Sequence, residues 1–169
     1  MSRSRASANT ITLNDHLVLC TGSNFTTPVD GQQGYIVTGV INTDLTSIPT
    51  NGANVLFASI TLSYGVWMVI GQAGYYNSST TSTVTTSIKQ ISIHTVSGSG
   101  SNAKHMYRAN YSCTIGAQTA NNDQCMRIIT QTASASTANY FLNGSFTWSG
   151  SGTLVTYAAN TNFYAVRNA

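Results

Sequence analysis

Apolar and polar residues alternate along much of this chain with a period of two residues, which is the period of a β-strand. The clearest case runs from Tyr140 to Trp148, where Tyr, Leu, Gly, Phe and Trp occupy every second position. The stretch from His105 to Ile115 alternates in the same way. We therefore predict a strand in each segment, with one face turned towards a core.

Shorter segments of the same character are separated by clusters of Gly, Pro, Asn, Ser and Thr, which favour turns. Further strands are predicted at Val18 to Cys20, Tyr35 to Ile41, Val55 to Ser63, Val66 to Tyr76, Val84 to Thr95, Cys125 to Thr132, Leu154 to Tyr157 and Asn162 to Arg167. Turns or loops are predicted at Ser47 to Gly52, Asn77 to Thr83, Ser97 to Asn102 and Ala120 to Asp123.

Two of these strands carry signals of irregularity. In the strand that starts at Val84 the apolar residues change from even to odd positions, so we predict a β-bulge near Lys89 and Gln90. Gly71 and Gly74 interrupt an apolar run, and glycine inside a strand usually marks a bulge or a close approach of another backbone.

About eight to ten short strands without a credible helix indicate an all-β fold, either a sandwich, a jelly roll or a barrel. No internal repeat recurs, which excludes solenoids and propellers. Residues 1–10 show no hydrophobic periodicity. We therefore predict an N-terminal extended arm over residues 1–10 and one domain over residues 11–169.

The composition changes this picture mainly through its scarcity of charge. The 169 residues include seven Lys plus Arg, four Asp and no Glu, or 7% charged residues against about 25% in ordinary soluble domains. Polarity comes instead from 21 Ser, 25 Thr and 16 Asn. A helical bundle is excluded by the lack of strong helix formers, and a net charge of +3 is too small for nucleic acid to be the main partner. No apolar run reaches about 18 residues, so we expect no membrane span.

A hydroxyl-rich surface of this kind suits permanent contact with neighbouring subunits, because each charge buried there would need a partner.

Groups that could carry catalysis are few, with three His and four Asp in the whole chain. The sequence has no G-x-S-x-G motif, no phosphate loop followed by lysine and no calcium loop. We therefore expect no catalytic residues, metal or cofactor. Cys113 and Cys125 could face each other across a hairpin, but three buried thiols, with Cys20, in a reducing compartment are the favoured interpretation.

The N-terminal arm is a candidate assembly element. Arg3 and Arg5 are its two charged residues, and they could neutralise about two phosphates, too few to package a genome. Because a chain terminus is usually ordered only where something ties it down, we expect a neighbouring subunit to hold this arm.

A second candidate surface lies at the predicted loops 77–83 and 97–104. Tyrosines, a lysine and a histidine at the edges of these loops would form a face for a glycan or a receptor. Its members are Tyr75, Tyr76, Lys104 and His105.

Two segments carry a family resemblance. The run from Ile60 to Ile70, ITLSYGVWMVI, resembles the "Leu-x-x-Gly-x-Trp-x-Val" strand turn of small jelly-roll domains in the virions of phages and large DNA viruses. Ala138 to Trp148 and Phe163 to Asn168 are similar to the last strands of those domains and of their TNF/C1q-like relatives, which finish on an "Ala-x-Arg" strand. The resemblance implies a single jelly-roll β-sandwich used as a virion building block, without catalytic residues.

The main hypothesis is a non-enzymatic structural virion protein, either a capsid vertex (penton) subunit or a minor capsid or decoration protein. Its partners would be copies of itself, as a pentamer or a trimer, and neighbouring capsid proteins. It would be made in the host cytoplasm and reside in the capsid. The alternative is a carbohydrate- or receptor-binding module of a viral fibre or spike, with a host-surface glycan as partner, and an enzyme such as a hydrolase is the third hypothesis.

Overall fold

A computed structural model of the chain describes residues 10–13, 17–20, 33–42, 46–97, 106–109, 112–131 and 137–168. These residues contain thirteen strands: β1 (Thr10–Leu13), β2 (Leu17–Cys20), β3 (Ile36–Thr38), β4 (Val40–Ile41), β5 (Asn51–Leu62), β6 (Gly65–Asn77), β7 (Val84–His94), β8 (Met106–Ala109), β9 (Cys113–Ile115), β10 (Ala120–Gln131), β11 (Ala138–Gly150), β12 (Leu154–Thr156) and β13 (Asn162–Arg167). The helical part of the described chain is a single 3-10 turn, Ala158–Asn160.

The long strands form two antiparallel sheets that pack face to face. The five-stranded sheet has the order β10-β6-β13-β3, and β12 also pairs with β6. The six-stranded sheet has the order β4-β5-β11-β7-β8, and β9 also pairs with β7. Strands β1 and β2 pair with each other in a separate two-stranded sheet. The all-β jelly-roll sandwich predicted from the sequence is confirmed.

The core between the two sheets is built by the strand alternation. Large aromatic side chains from both sheets meet there, and Tyr75 and Phe146 pack edge to face with ring centroids 4.9 Å apart. Burial of such rings supplies much of the hydrophobic stabilisation of a domain this size. The aromatic residues less than 2% exposed are Phe57, Trp67, Tyr75, Phe146 and Phe163.

Both glycines singled out in the apolar run lie where other groups approach β6 closely. A Cβ atom at Gly71 would lie 2.6 Å from Cδ1 of Leu142, in the facing sheet. A Cβ atom at Gly74 would lie 2.5 Å from the carbonyl oxygen of Tyr157. The predicted close approach of another backbone is confirmed at Gly74, whereas at Gly71 the neighbour is a side chain.

The predicted β-bulge in β7 is present, but it lies at Ser87 and not at Lys89 and Gln90. Thr147 pairs with Ile88 and Trp148 pairs with Thr86, which leaves Ser87 as the extra residue of the bulge. The bulge turns Lys89 inward, where its side chain is only 2% exposed. The apolar pattern alone misplaced the bulge because it did not count a lysine as a core residue.

Three other segments also differ from the prediction. The turn expected at Ala120 to Asp123 is the first part of β10, since pairing along the whole of β6 overrides the turn preference of Asn and Asp. The single strand expected from His105 to Ile115 is divided into β8 and β9, which pair with β7 on either side of its bulge. The strand expected from Tyr35 to Ile41 divides at Gly39, and its two halves join different sheets. These divisions raise the strand number above the predicted eight to ten.

Cys113 and Cys125 are free thiols on different sheets, so they do not face each other across a hairpin. Cys125 is buried, and burial raises the pKa of its thiol to about 12. Cys113 is only partly buried, which corrects the expectation that it lies in the core. The side chain of Cys20 and residues 1–9 of the predicted arm lie outside the described part of the structure, and Thr10 belongs to β1.

Candidate assembly surface and a buried ionic cluster

Part of the outer face of the five-stranded sheet is apolar. On each of its strands the residues between the core positions point away from the sandwich. Thr38, Gln72, Asn122, Gln124 and Asn162 among them are polar. About half are Val, Met, Ile or Tyr, and eight of these lie side by side. We call this set the apolar face: Ile36, Val66, Met68, Ile70, Met126, Ile128, Tyr164 and Val166.

The strand register assembles these residues into continuous rows across the sheet. One row runs from Ile128 through Met68 and Val166 to Ile36, and crosses four strands. A second row joins Met126, Ile70 and Tyr164, and ends on the polar Thr38. The rows bring together residues that lie far apart in the sequence, so the patch exists only in the folded chain.

The apolar face is open to solvent at its ends. Ile36 is 58% exposed, Met126 59% and Ile128 53%. A shallow depression lies between Met126 and Tyr164. Polar residues border the second row, where the side chain of Gln124 donates a hydrogen bond of 2.6 Å to that of Gln72. Strands about 4.8 Å apart and rows about 7 Å apart give a patch of about 300 Å², the size of apolar patches that are often functional on monomers.

The described charged side chains all face the interior of the sandwich. Arg127 donates a hydrogen bond of 3.0 Å to the carbonyl oxygen of Ile93 in the opposite sheet. Arg167 lies over the ring of Trp67, 5.5 Å from its centroid. Lys89 and Asp123 are also buried, so among the described residues the apolar face carries no charge.

Lys89, Asp123 and Tyr75 form what we call the ionic cluster between the sheets. Lys89 comes from β7 in the six-stranded sheet, whereas Asp123 and Tyr75 come from β10 and β6 in the five-stranded sheet. The ammonium nitrogen of Lys89 lies 3.1 Å from Oδ2 and 3.2 Å from Oδ1 of Asp123. Lys89 also donates a hydrogen bond of 3.1 Å to the hydroxyl oxygen of Tyr75, and that hydroxyl donates one of 2.8 Å to Oδ2 of Asp123.

The three hydrogen bonds close a ring, and the ring fixes the protonation of two of its members. Burial, and after it the negative charge of Asp123, raises the pKa of Tyr75 above its usual range, so its phenol stays protonated. Burial by itself lowers the pKa of Lys89, but the hydrogen bond to Tyr75 and the charge of Asp123 outweigh it. The net effect raises the pKa of Lys89, so its ammonium group persists inside the core.

Two members of the predicted receptor face, Tyr75 and Tyr76, lie in the described part of the structure. Tyr75 is fully buried in the ionic cluster, so its placement on that face is wrong. Tyr76 points to the other side of β6, is half-buried and stacks on Tyr157 with ring centroids 5.4 Å apart. Lys104 and His105 lie outside the described residues.

The sequence held a usable signal for the burial of Tyr75. Tyr75 is separated from Trp67 and Val69 by an even number of positions along β6, so all three lie on the same face of the strand. Trp67 and Val69 are also core residues. Arg3 and Arg5 lie outside the described residues, so their role in assembly stays a prediction.

Within the described part of the chain, no helix is long and apolar enough to cross a membrane. The same residues contain no group of three or more His, Cys, Asp or Glu that could hold a metal ion.

No protein-family model and no curated protein matches this sequence. Among solved structures, the chain is similar to Eiger TNF from S. frugiperda, with 10% identity and a TM-score of 0.43 over 82% of this chain and 94% of that chain. It is also similar to the infectious bursal disease virus Gt strain structure, with 13% identity and a TM-score of 0.40 over 100% of this chain and 46% of that chain. The VP2 subviral particle of the same virus gives 14% identity and a TM-score of 0.36 over 94% of this chain and 42% of that chain. The chain thus spans less than half of the length of these two viral chains.

Proposed function

We propose that this protein is a structural subunit that assembles with copies of itself, and that a second copy covers the apolar face. The observation that carries the proposal is the pair of aligned apolar rows on the outer face of the five-stranded sheet. Apolar surface of this extent is stabilised when it is removed from water.

Size and charge both favour a second copy as the occupant. A stable interface buries about 800 Å² on each partner and has an apolar centre with a polar rim. The apolar face has the dimensions of such a centre, and Gln72, Gln124 and Asn162 supply a rim on one side. Because the described face carries no charge, another copy can cover it without like-charge repulsion.

The proposed setting is a virion, in which the chain serves as a capsid vertex (penton) subunit or as a minor capsid or decoration protein. The sandwich and the resemblance of Ile60 to Ile70 to virion jelly rolls support this setting. The predicted arm would bind a neighbouring capsid protein by main-chain pairing. The protein is proposed to be non-enzymatic, because Lys89 and Asp123 lie in the core and out of reach of an external substrate.

The experiment compares two variants that place a lysine on equally exposed apolar residues. Ile128 in the apolar face is 53% exposed, and Val96 after β7 is 54% exposed. We would measure the solution mass of the full chain, of Ile128→Lys, of Val96→Lys and of a chain lacking residues 1–10 by light scattering.

We expect an oligomer for the full chain and for Val96→Lys, and a smaller species for Ile128→Lys. Five copies would indicate a vertex protein, and three would indicate a trimeric assembly. A full chain that is monomeric at high concentration would overturn the proposal. Equal loss of mass in the two lysine variants would show that added charge, and not the apolar face, governs association. An oligomer that is lost only with residues 1–10 would assign assembly to the arm.

A further inference from the structure

The ionic cluster brings together the two functional groups of an amide condensation. An ammonium group and a carboxylate lie in contact across the core, with Lys89 2% and Asp123 8% exposed. Such a pair is costly to bury as ions, because both groups lose their hydration. Loss of water between them would replace two buried charges with one neutral amide.

We propose that Lys89 and Asp123 form an intramolecular isopeptide bond that joins the two sheets covalently. The bond would link Nζ of Lys89 to Cγ of Asp123, and so tie β7 to β10. It is a modification of the chain itself and does not depend on the proposed assembly.

The position of Tyr75 supports this chemistry. Its hydroxyl accepts a hydrogen bond of 3.1 Å from Lys89 and donates one of 2.8 Å to Oδ2 of Asp123. The same hydroxyl therefore touches the nitrogen that must lose a proton and the oxygen that must gain one. This is the geometry of a proton relay between an attacking and a leaving atom.

The reaction balances within these three residues. A proton first passes from the ammonium group of Lys89 to the carboxylate of Asp123, which gives a neutral amine and a neutral acid. The amine then attacks Cγ, and Tyr75 gives its proton to Oδ2 while it takes one from the nitrogen. The C–O bond breaks, one water molecule leaves and the amide C–N bond remains. Nothing is oxidised or reduced, and no co-reactant is consumed.

The surroundings lower the cost of the neutral intermediate pair and favour the product. Transfer of one proton removes two charges from a medium in which charges are poorly solvated. The fold holds the reacting groups in contact, which replaces an encounter in solution by a step within one molecule. Ionised Lys89 is the main form, so the reaction is slow, but it has to occur only once in each molecule.

The test is the mass of the denatured full-length chain, followed by a tryptic map. We expect an intact mass lower than the sequence mass by one water molecule. Trypsin should fail to cleave after Lys89, since its amine is acylated. The peptide 109–127, which contains Asp123, should then appear joined to the peptide 6–104.

Further samples locate the lost water and test the proton relay. The pair Asp30-Gly31 can also lose one water molecule by forming a cyclic imide, so Asp30→Ser is measured beside the wild-type chain. Tyr75→Phe keeps the ring and removes the hydroxyl, so we expect a smaller cross-linked fraction after the same time of folding. Lys89→Met, or wild-type chain kept in denaturant from the start, should show the full mass.

Full sequence mass together with cleavage after Lys89 would overturn the proposal, and the cluster would then be an ion pair only. A mass lower by one water molecule with cleavage after Lys89 would also overturn it, because the water would have been lost elsewhere. Cross-linking of Tyr75→Phe at the wild-type rate would remove the relay from the mechanism.

Discussion

The outer faces of the two sheets differ sharply, although both belong to one sandwich and neither carries a described Lys, Arg or Asp side chain. On the five-stranded sheet eight outward residues that lie side by side are Val, Met, Ile or Tyr. On the six-stranded sheet most of the outward residues are Ser, Thr, Asn and Gln: Thr61, Asn139, Ser145, Gln90, Thr147, Ser149 and Thr85.

We call the outer face of the six-stranded sheet the polar face. Its side chains form hydrogen bonds within the molecule. Thr61 donates a hydrogen bond of 2.7 Å to Asn139, and Ser145 donates one of 2.6 Å to the carbonyl oxygen of Gly52. Groups of this kind are also well hydrated, so they gain little from a partner. The aliphatic side chains of the apolar face form no hydrogen bonds with water, so covering this face with a partner lowers the free energy. The contrast favours the five-stranded sheet as the side of the sandwich that binds a partner.

The largest effect is expected from removing the ion pair between the two sheets. Asp123→Ala leaves the ammonium group of Lys89 buried without its carboxylate, and we expect the free energy of unfolding to fall by about 3–5 kcal/mol. Urea denaturation measures this change. The exposed neighbour Asn122→Ala is the control, with an expected change of less than about 0.5 kcal/mol. Similar losses for both variants would show that β10 tolerates no substitution and that the ion pair is not special.

A second test makes the two outer faces equally polar. Met68→Gln with Ile128→Thr gives the apolar face the polarity of its counterpart. We expect self-association to weaken by about 2 kcal/mol or more, or roughly 30-fold in the dissociation constant, because central residues dominate interfaces. Sedimentation over a concentration series checks this, and urea denaturation should show a nearly unchanged stability. Unchanged association would place the contact on another surface.

Alkaline pH tests the core side of β10, beneath the apolar face, because it ionises the thiol of Cys125. Burial raises the pKa of Cys125 from 9.0 to about 12, so the unfolded chain loses this proton before the folded chain does. The buried, protonated thiol of Cys125 therefore contributes fully to stability below pH 9, and this contribution is lost as the pH rises towards 12. We expect the free energy of unfolding to fall by about 1.4 kcal/mol per pH unit above pH 9. Cys125→Ala should flatten this slope between pH 9 and 10, and an equally steep slope in that variant would refute the assignment.

The smallest effect is expected on the polar face. Asn139→Ala removes the partner of an exposed hydroxyl at Thr61 that water can replace, so we expect a loss of about 0.5 kcal/mol and no change in association. Thermal unfolding and light scattering on the same sample measure both quantities. A change in association here would contradict the contrast between the two faces.

Much of the fold could be predicted from the sequence because alternation is a local property. The central parts of β6 and β11 follow from residues within each strand, and so does the close approach of a backbone at Gly74. The extension of β10 through Asp123 could not be predicted in this way, since turn-forming residues enter a strand there only because β6 pairs with them. The same limit applies to Lys89, whose burial depends on a bulge in β7 and on a carboxylate from another sheet.

The sequence by itself determined the all-β class, the scarcity of charge and the presence of a strand, Val66 to Ile70, that is apolar on both sides. It could not decide which side would be covered. That was decided by the tertiary structure, because the register of four strands aligns Ile128, Met68, Val166 and Ile36 on the solvent side. Packing of the second sheet on the opposite side then encloses the four described charges. Local pattern depends on neighbours in the chain, whereas a surface or an ion pair depends on which distant residues the fold brings together.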